Sequence, residues 1–505
     1  MQKARIFSPA AIGWGNALIA SSLAIYFLLI PGILVLRNLL DPALMRGEIP
    51  REAWRLHRYL APRYASWARE RINSGVAADV YYLDVPGTEW PLFGSVFYLW
   101  STEYLQRAWE QDPERSPVSP AVYAGETVEA CKELLLDPAH HAWVQTHWGD
   151  DYMHRENVFF RSLLIAGLTS YEALTGSGET MDLLEDQVST LSRALDESPH
   201  GVLYDYPGEC YPIDVFAAIA WIRRADAVLG TDHSDFVLRA LRAFSGSRLD
   251  RKGLIPWQVN PRTGEQYEAS RGIVNSHVLI FAPEIYSAEA ADWYEKFETE
   301  FWQEKWFGSG FREYDRDRPG GNWTYDVDAG PIIGGFSPSA NAFGIAAAYA
   351  NGRTDHGQTL TTQVLTACWP LPDGRLLGPR ILSDSANAPY LGECAILWQL
   401  TEGRGGGHAD TAVRGTVAGS VYIGFAFYFG VGGFILIFSY RILNRRRRKL
   451  RNGARGIVPH QGVLWVVLLA LGVIFFSVSK PIMGIVCLVP AQFLPVLVRA
   501  NSHKR

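Results

Sequence analysis

The chain has 505 residues, of which 48% are hydrophobic and 13% aromatic, and its formal net charge is −5. That length suits two or three average domains, or one large domain with additional segments. The small negative charge gives no support to nucleic-acid binding, and we expect no nucleic-acid partner. Five cysteines are too few for a disulfide scaffold, and no CxxC or HExxH spacing occurs, so we expect no metal site and no cofactor.

An uncharged apolar stretch covers residues 11–36 and exceeds the roughly 20 residues that a helix needs to span a bilayer. A secretory signal peptide is the competing interpretation, because Lys3 and Arg5 give the chain a basic start. The stretch is too long for the apolar core of a signal peptide, and no small-residue cleavage site follows it before Arg37. We therefore predict that residues 1–37 form a retained transmembrane anchor.

Residues 38–412 have the composition of a soluble domain that is almost entirely helical. Apolar positions recur at helical spacing in stretches that each end near Gly, Pro or Asn: 52–73, 93–110, 121–135, 157–174, 180–195, 214–229, 233–245, 288–302, 338–351, 357–367 and 387–400. Helices in such a series fit a bundle, a solenoid or a toroid of paired helices. No repeated signature supports a solenoid. The long Gly- and aromatic-rich loop at 306–331 favours a toroid whose helix ends and loops build a central pocket.

The C-terminal residues 413–505 form a second membrane region. An uncharged span at 415–440 is followed by an arginine-rich loop at 441–456. Two further apolar spans cover 461–479 and 482–498. The last two are either two crossings, or one crossing with a re-entrant segment.

Basic residues mark one side of this membrane arrangement. The N-terminal MQKAR, the arginine-rich loop and the C-terminal HKR all fall on the same side when the chain crosses the membrane four times. Because short cytoplasmic loops carry an excess of Lys and Arg, we predict a multi-pass protein of the cytoplasmic (inner) membrane whose large domain lies on the periplasmic side. A nucleic-acid interpretation of the arginine run fails because apolar spans flank it closely. The lipid bilayer is the partner that we expect.

The densest polar stretch lies between His147 and Asp226. Two acidic and aromatic segments there each precede a helix that becomes apolar within a turn, and Pro212 suits the first turn of the second helix. Two carboxylates in unlike surroundings are a standard means of having one acid and one base at neutral pH. We assign candidate catalytic roles to four of these acids: Asp214, Glu209, Asp205 and Glu156. Asp214 and Glu209 are the acid–base pair that we would test first. Helix caps and salt bridges with neighbouring arginines are the alternative for each of them.

Aromatic and polar side chains around these acids are candidates for binding substrate. We select nine of them: Trp148, His154, Asn157, Tyr204, Tyr206, Trp90, Trp323, Tyr325 and Asp328. Asp328 forms a D-x-D pair with Asp326, which can bind a divalent cation but which a loop turn explains equally well. The four histidines between 140 and 154 fit no metal spacing, and His140 and His141 follow Asp137–Pro138 as in an exposed loop. We therefore favour no metal.

Two further features leave alternatives open. The segment Glu89–Trp90–Pro91 either adds a wall to the pocket or is only structural. Cys368 and Cys394 could form a disulfide in an oxidising compartment. Buried free thiols, with Cys131 and Cys210 included, are the interpretation that we favour.

Residues 156–177, ENVFFRSLLIAGLTSYEALTGS, resemble a helix of the linalool dehydratase/isomerase family, including the Trp-Gly pair that precedes it. Residues 206–232 are similar to the family's second signature segment and end in the same Gly-Thr-Asp. Matching stretches at 249–265 and 326–348 follow in the family's order. The resemblance covers residues 145–350. It implies an (α/α)6 barrel, the six-hairpin toroid that many glycan hydrolases and lyases also adopt.

The chain departs from this family at residues that matter for chemistry. The family's active site contains two cysteines, and the corresponding positions here are Asp205 and Asp214. Cys210 falls where the family has an aromatic residue, and Leu163 stands where it has a histidine. The resemblance therefore carries the fold to this chain but not cysteine-dependent chemistry, and we assign no thiol role to Cys210.

From these features we expect a membrane-anchored, linalool dehydratase/isomerase-like lyase or isomerase that cleaves or eliminates a C–O bond in a hydrophobic alcohol by carboxylate acid–base catalysis. A hydrolase or lyase acting on cell-envelope glycan is one alternative, because acids and aromatic rings also suit sugars. A non-catalytic binding or assembly module of an envelope system is the other. An open aromatic groove favours the glycan, and a closed apolar chamber favours the alcohol. A mouth without convergent carboxylates favours the binding module. The oligomeric state is left open.

Overall fold

The computed structural model describes residues 9–81, 83–404, 415–452, 454–477, 481–494 and 496–499. Helix makes up 70% of the structure and strand 6%, which confirms the predicted all-α class. The chain divides into two compact units, Val35–Val421 and a smaller unit made of Met1–Leu34 with Tyr422–Arg505. The first apolar helix therefore groups with the C-terminal region.

The helices of the chain are mostly longer than two turns. In chain order they are α1 Pro9–Ala24, α2 Ile30–Leu39, α3 Pro42–Met45, α4 Arg51–Ser74, α5 Val85–Gln111, α6 Pro120–Tyr123, α7 Gly125–Leu136, α8 Pro138–Trp148, α9 Val158–Thr175, α10 Met181–Glu197, α11 Pro212–Leu229, α12 Ser234–Ala240, α13 Gly272–Ile285, α14 Ser287–Phe301, α15 Pro338–Ala350, α16 Thr354–Ala367, α17 Leu377–Leu382, α18 Leu391–Thr401, α19 Gly419–Phe425, α20 Gly432–Arg451, α21 Pro459–Ser477 and α22 Pro481–Phe493. Two π-helical segments, Ile25–Leu29 and Ala426–Val431, join α1 to α2 and α19 to α20.

In the part of the chain that the structure describes, the strands form four two-stranded antiparallel sheets. They are β1 Gln258–Val259 with β2 Gln266–Glu268, β3 Trp302–Lys305 with β4 Gly308–Phe311, β5 Trp323–Asp326 with β6 Gly330–Ile333, and β7 Ala454–Ile457 with β8 Leu497–Arg499. The predicted loop at 306–331 therefore contains strands β4 and β5 and the start of β6. Its glycines supply the tight turns: Gly330, for example, has a φ of +78°, which suits a residue without a Cβ.

Among the described residues, two helices are long and apolar enough to cross a membrane, Ile12–Leu39 and Gly419–Arg451. The second starts later than the predicted span at 415–440 and includes much of the arginine run. Residues 441–451 of the predicted arginine-rich loop at 441–456 are therefore helical. Lys and Arg are good helix formers, and cations are stabilised near a helix C-terminus, so the helix continues through them.

Two shorter apolar helices, α21 and α22, complete the smaller unit. The predicted span at 482–498 is helical only to Phe493, because residues 497–499 pair with β7 instead. Asn16 of α1 is buried, donates to the carbonyl of Ala491 at 3.1 Å and accepts from the Trp465 indole. These bonds satisfy a polar side chain in apolar surroundings.

Most of the predicted helices are present in the larger unit, but α3, α8, α13 and α17 lie outside the predicted stretches. The segment of α13 is apolar on all sides and lacks an amphipathic period, which is typical of a fully surrounded helix. The segment of α8 was interpreted as a loop, whereas Asp137 and Pro138 stand at its N-cap and first position. His140 and His141 are consequently buried on a helix.

Six helices of the larger unit contact one another in a closed cyclic order, and we call them the helix ring: α5, α9, α11, α13, α15 and α18. Other helices pack against them: α4 and α7 on α5, α10 on α9 and α11, α12 on α11, α14 on α13, and α16 on α15. The helices of this second set, such as α10, have one polar and one apolar face, as expected for a helix with one side on the core.

Tryptophan rings pack where three helices of the ring meet. The Trp100 ring stacks on Trp221 with centroids 4.5 Å apart and lies 4.6 Å from Trp398. All three are buried and come from α5, α11 and α18. Truncation of one such ring to alanine typically costs about 3–5 kcal/mol, so these residues act mainly in stability.

Candidate active site

The segments that precede the ring helices α9 and α11 are joined by hydrogen bonds. The Val158 amide, at the start of α9, donates to the Tyr204 carbonyl at 3.2 Å. Glu156 accepts from the Tyr204 amide at 2.9 Å, and the Trp148 indole donates to the Asp205 carbonyl at 3.3 Å. These bonds hold the two acidic segments side by side.

Hydrogen bonds also join the segments before α13 and α15 to Glu313, which lies between β4 and β5, and join the segment before α13 to the β5–β6 hairpin. The Gly272 amide donates to the Glu313 carbonyl at 2.8 Å, and the Ser337 hydroxyl donates to the Glu313 carboxyl at 2.7 Å. Arg271 donates to Asp326 at 3.1 Å. The hairpin that carries Asp328 is thereby fixed beside the first turn of α13.

Asp205 is fully buried, in the tight turn that leads into α11. Its amide donates to the Glu209 carbonyl, and one carboxyl oxygen accepts from the Tyr211 amide at 2.5 Å. Burial and the neighbouring Asp214 raise the pKa of Asp205 well above its ordinary value. The hydrogen bond from Tyr211 acts in the opposite direction without reversing this shift.

Asp214 lies in the first turn of α11, where a helix dipole favours the ionised form. Burial nevertheless raises its pKa to about 8, with a further contribution from the charges of Glu89 and Asp328. Asp205 and Asp214 are therefore neighbouring acids that cannot easily be ionised together. At neutral pH such a pair retains a proton.

Glu89 lies near the start of α5 and accepts a hydrogen bond from the Tyr206 hydroxyl at 2.5 Å. Burial raises the pKa of Glu89 to about 7, the Tyr206 bond opposes this rise, and Asp328 and Glu209 add to it. At the rim, burial and the charge of Asp326 raise the pKa of Asp328 to about 6, while Arg271 opposes the shift. Neighbouring groups surround the Asp328 carboxyl but its surface remains accessible to solvent, and its pKa shift is smaller than that of Asp214.

We call Glu89, Asp205, Asp214 and Asp328 the acid cluster. Within the part of the chain that the structure describes, none of the four forms an ion pair with Lys or Arg. The cluster therefore combines carboxyls that are protonated at neutral pH with others that are ionised. That combination can donate a proton to one atom of a substrate and accept a proton from another.

The other two candidate acids have hydrogen-bonding roles. Glu209 is exposed and accepts from the Tyr211 hydroxyl at 2.7 Å, so the structure places it at the rim and not in the buried pair. Glu156 is half-buried and holds Tyr204 in position, as described above. The buried partners of Asp214 are instead Asp205 and Glu89.

The candidate binding residues are distributed unevenly. Tyr206 lies in the acid cluster through its bond to Glu89, with its ring 5.9 Å from that of Phe159. Tyr204 and Trp148 stabilise the segment before α11. The Tyr204 amide donates to Glu156, and the Trp148 indole donates to the Asp205 carbonyl. Half-buried Trp90 follows Glu89 in α5.

Two other candidates lie in surface or turn positions. His154 is exposed and bonded to Asp151 and Asp186, both at 3.2 Å, so it does not join the cluster. Asn157 is buried with a positive φ of 28° and donates to the Tyr152 carbonyl at 3.3 Å. Its role in the structure is to turn the chain into α9.

Trp323 and Tyr325 lie on the β5–β6 hairpin and are exposed, which makes an open, aromatic rim beside Asp328. Sequence reasoning identified Glu89 only as part of a wall. The sequence predicts a helix only from residue 93, whereas α5 begins at Val85 and includes Glu89. The usable signal was the acid two residues before Pro91, on a segment that is otherwise apolar.

The histidines and cysteines belong to separate networks. His140 bonds to Asp137 at 2.6 Å, and His141 bonds to the Tyr152 hydroxyl at 2.8 Å. Within the described residues, no group of three or more His, Cys, Asp or Glu is arranged to hold a metal ion. All five cysteines are buried free thiols, so Cys368 and Cys394 do not form a disulfide.

A cavity of about 1150 Å³, which we call the arginine cavity, lies where the ring helices end. Its lining includes Tyr104, Arg224, Glu284 and Glu402. Arg224 bonds to Glu284 at 2.8 Å and to Glu402 at 3.2 Å, and the Tyr104 hydroxyl donates to Glu402 at 2.6 Å. Because these acids are paired, we place the candidate active site at the acid cluster and not in this cavity.

The comparisons with known proteins add no assignment to this geometry. No family model matches the chain, and no curated protein matches it.

Proposed function

We propose that Val35–Val421 is an (α/α)6 barrel of the linalool dehydratase/isomerase type. The closed order of the six ring helices, with a second set packed against them, supports this fold. A second support comes from Asp205 and Asp214, which stand where the family has its two cysteines. The two positions are neighbours here, as active-site positions would be.

The activity that we propose is cleavage or elimination of a C–O bond by carboxylate acid–base catalysis. The acid cluster carries this proposal, because its members meet without a Lys or Arg partner and have raised pKa values. The protonated Asp214 would donate its proton to the leaving oxygen. An ionised carboxyl of the cluster would take a proton from the neighbouring carbon, so that water leaves and a C=C bond forms.

A hydrophobic alcohol is the first substrate class in this proposal, following the resemblance. The second candidate function is hydrolysis or elimination in an envelope glycan, which the exposed rings of Trp323 and Tyr325 beside Asp328 favour. In a hydrolysis the same acid would protonate the glycosidic oxygen, and an ionised carboxyl would activate water. Convergent carboxyls argue against a non-catalytic binding module.

For the membrane, we propose four crossings, with α21 and α22 as the third and fourth. The cytoplasmic side would hold the arginine run at the end of α20, and the larger unit would lie on the periplasmic side of the inner membrane. Thiol labelling of intact cells tests this: a cysteine at exposed Gly352 should react with an impermeant reagent. Labelling only after lysis would contradict the topology.

The activity is tested with Asp214→Asn in the full chain, assayed on a panel of prenyl-type alcohols and envelope glycans. Loss of one general acid typically lowers the rate by about 10²–10⁴. Asp182→Asn is the matched control, since Asp182 also lies in a first helical turn, that of α10, but is exposed. Turnover that is unchanged in Asp214→Asn would contradict the proposal, because Asn caps a helix about as well as Asp.

A further inference from the structure

The β5–β6 hairpin has two unlike faces. On one face, Ile332 is buried and Asp326 is hydrogen-bonded to Arg271. On the other face, Trp323 pairs with Ile333 across the sheet, and Tyr325 follows two residues later. These side chains are 72%, 52% and 70% exposed, respectively, which leaves an aromatic and aliphatic sheet face without cover within the described residues.

The turn of the β3–β4 hairpin continues this face. Trp306 in that turn is 83% exposed. The ring of its neighbour Phe307 lies 5.6 Å from that of Phe336, and Phe336 forms a β-bridge with Ile333. Together, the exposed side chains of Trp306, Trp323, Tyr325 and Ile333 form what we call the hairpin face.

The hairpin face adjoins the start of a candidate membrane span. Gly419 is the first residue of the span Gly419–Arg451, and a Cβ on it would lie 2.2 Å from the Trp306 carbonyl oxygen. The Ser420 hydroxyl and the Ser309 amide both donate to Gln363, at 3.0 and 3.1 Å. The helix that enters the membrane therefore begins against the β3–β4 turn.

We propose that the hairpin face contacts the interfacial region of the same bilayer that the span from Gly419 enters. Contiguous exposed apolar surface on a protein usually marks an interaction site. Trp and Tyr are enriched where membrane meets water, because their rings are amphipathic. Continuity with the span selects lipid over a second protein as the occupant. Lys305, which donates to the Gly334 carbonyl next to Ile333, adds a cation that suits anionic headgroups.

The hairpin face specifies a substrate class for the proposed function. This assignment of a substrate class rests on that proposed function. The turn of the β5–β6 hairpin carries Asp328, so the acid cluster opens beside the lipid-facing rings. The substrate is then an amphiphile that stays in the bilayer interface by its apolar tail and presents a polar head with the C–O bond to the acid cluster. A water-soluble polymer would instead reach the rim from the aqueous side.

Depth-dependent fluorescence quenching tests the contact in the full chain. Trp306→Cys, Ile333→Cys and Trp323→Cys are each labelled with an environment-sensitive fluorophore and placed in vesicles of phosphatidylcholine and phosphatidylglycerol. We expect the fluorophore to lose most of its emission to lipids that carry a spin label near the headgroup, and much less to lipids labelled near the acyl terminus. The parent chain, whose cysteines are buried, measures background labelling.

Leu238→Cys is the matched control, since Leu238 is also a large exposed apolar residue but lies on α12, which packs on α10 and α11. Only variants that keep the parent's helical circular dichroism and melting transition are compared. Hairpin-face probes that are quenched no more than the probe at 238 would overturn the proposal. Shielding from aqueous iodide without lipid quenching would also overturn it, because protein would then cover the face.

Photo-crosslinking tests the substrate class. Vesicles that contain a photoreactive prenyl-type alcohol should give adducts on residues 306–333 as well as on the spans. Adducts on the spans alone would contradict access from the bilayer. Neither measurement requires turnover, so a failed lipid contact and a failed acid–base mechanism are distinguished.

Discussion

The two ends of the helix ring both bury charged groups, but they handle the charge differently. Where the ring helices begin, the acid cluster gathers four carboxyls without an ion pair to Lys or Arg among the described residues. Where they end, Arg224 bonds to both Glu284 and Glu402 in the arginine cavity. The end with the acid cluster concentrates carboxyl groups without cations. At the end with the arginine cavity, Arg224 balances the charges of its neighbouring carboxylates.

The difference separates structural acids from acids that can carry protons. Although burial opposes it, the charges around Arg224 raise its pKa well above the ordinary value, so the arginine stays charged beside its partners. In the acid cluster, burial and like charge act in the same direction, and the pKa of Asp214 rises to about 8. Burial alone therefore does not mark a catalytic acid. Burial without a cationic partner is the informative feature.

The largest expected effect compares one acid from each end. Glu89→Gln removes an unpaired carboxyl with a pKa of about 7 and should lower turnover by about 10²–10⁴, because the variant cannot exchange the proton. Glu284→Gln alters an arginine-paired carboxyl at the other end and should leave turnover within about tenfold of the parent, provided that the chain remains folded. Steady-state rates on the first active substrate give both values. Equal losses would remove the distinction between the two ends.

The next effect is on stability at the paired end. Arg224→Met keeps an apolar stem in the arginine cavity but removes the cation from Glu402 and Glu284. Breaking a buried pair by removing one partner typically costs about 3–5 kcal/mol. We expect a loss toward the lower end of that range, since Glu284 reaches solvent. Denaturant unfolding of the full chain measures it, and Arg239→Met, which alters a surface pair with Asp196, is the control. Similar losses in both variants would show that burial of the pair does not matter.

A third effect is the pH dependence of stability. In the unfolded chain, carboxyls lose their protons above roughly pH 4. In the folded chain, the buried carboxyls of the acid cluster keep their protons to higher pH. The pKa of Asp214 is raised to about 8, so this group lowers stability as the pH rises between these values. Relative to the parent, Asp214→Asn should therefore gain unfolding free energy, by on the order of 1 kcal/mol or more, between pH 5 and pH 8. If the gain in unfolding free energy is the same at both pH values, the pKa of Asp214 is not raised in the folded chain.

The smallest effect is expected at the rim. Glu209→Gln changes an exposed carboxyl whose described bond is to the Tyr211 hydroxyl, and a surface substitution usually alters stability by roughly 0.5 kcal/mol or less. Turnover should change far less than in Glu89→Gln. The same assay as for Glu89 checks this. A loss of turnover as large as that of Glu89→Gln would show that Glu209, at the rim, belongs to the catalytic pair.

Sequence patterns predicted the features that depend on residues close together in the chain. The helical class and the placement of Asp205 and Asp214 just before and within the first turn of α11 followed from apolar periodicity and from Pro212. The helix α13 was missed because a helix surrounded on all sides has no polar face to set a period. Glu89 was undervalued because its partner Tyr206 lies 117 residues away along the chain, and no local pattern reports such a contact.

The relation of Asp205 to Asp214 and to Glu89 also depends on tertiary packing. From sequence, any of these acids could be a helix cap, and Glu209 is the predicted partner of Asp214, whereas the structure gives that place to Asp205. The tight turn at Gly208, with a φ of +94°, turns the Asp205 side chain to the buried Tyr211 amide while Glu209 remains exposed. The hydrogen bonds of this turn therefore decide which acid is buried.

Infrared difference spectroscopy of the full chain tests the central claim, that Asp214 keeps a proton at neutral pH because it lacks a cationic partner. The parent and Asp214→Asn are titrated in parallel, and their difference isolates the carboxyl band of this one residue. We predict a protonated carboxylic-acid band that is present at pH 7, disappears as the pH rises through about 8, and is missing from the variant. A residue that is already ionised at pH 5 would contradict the account.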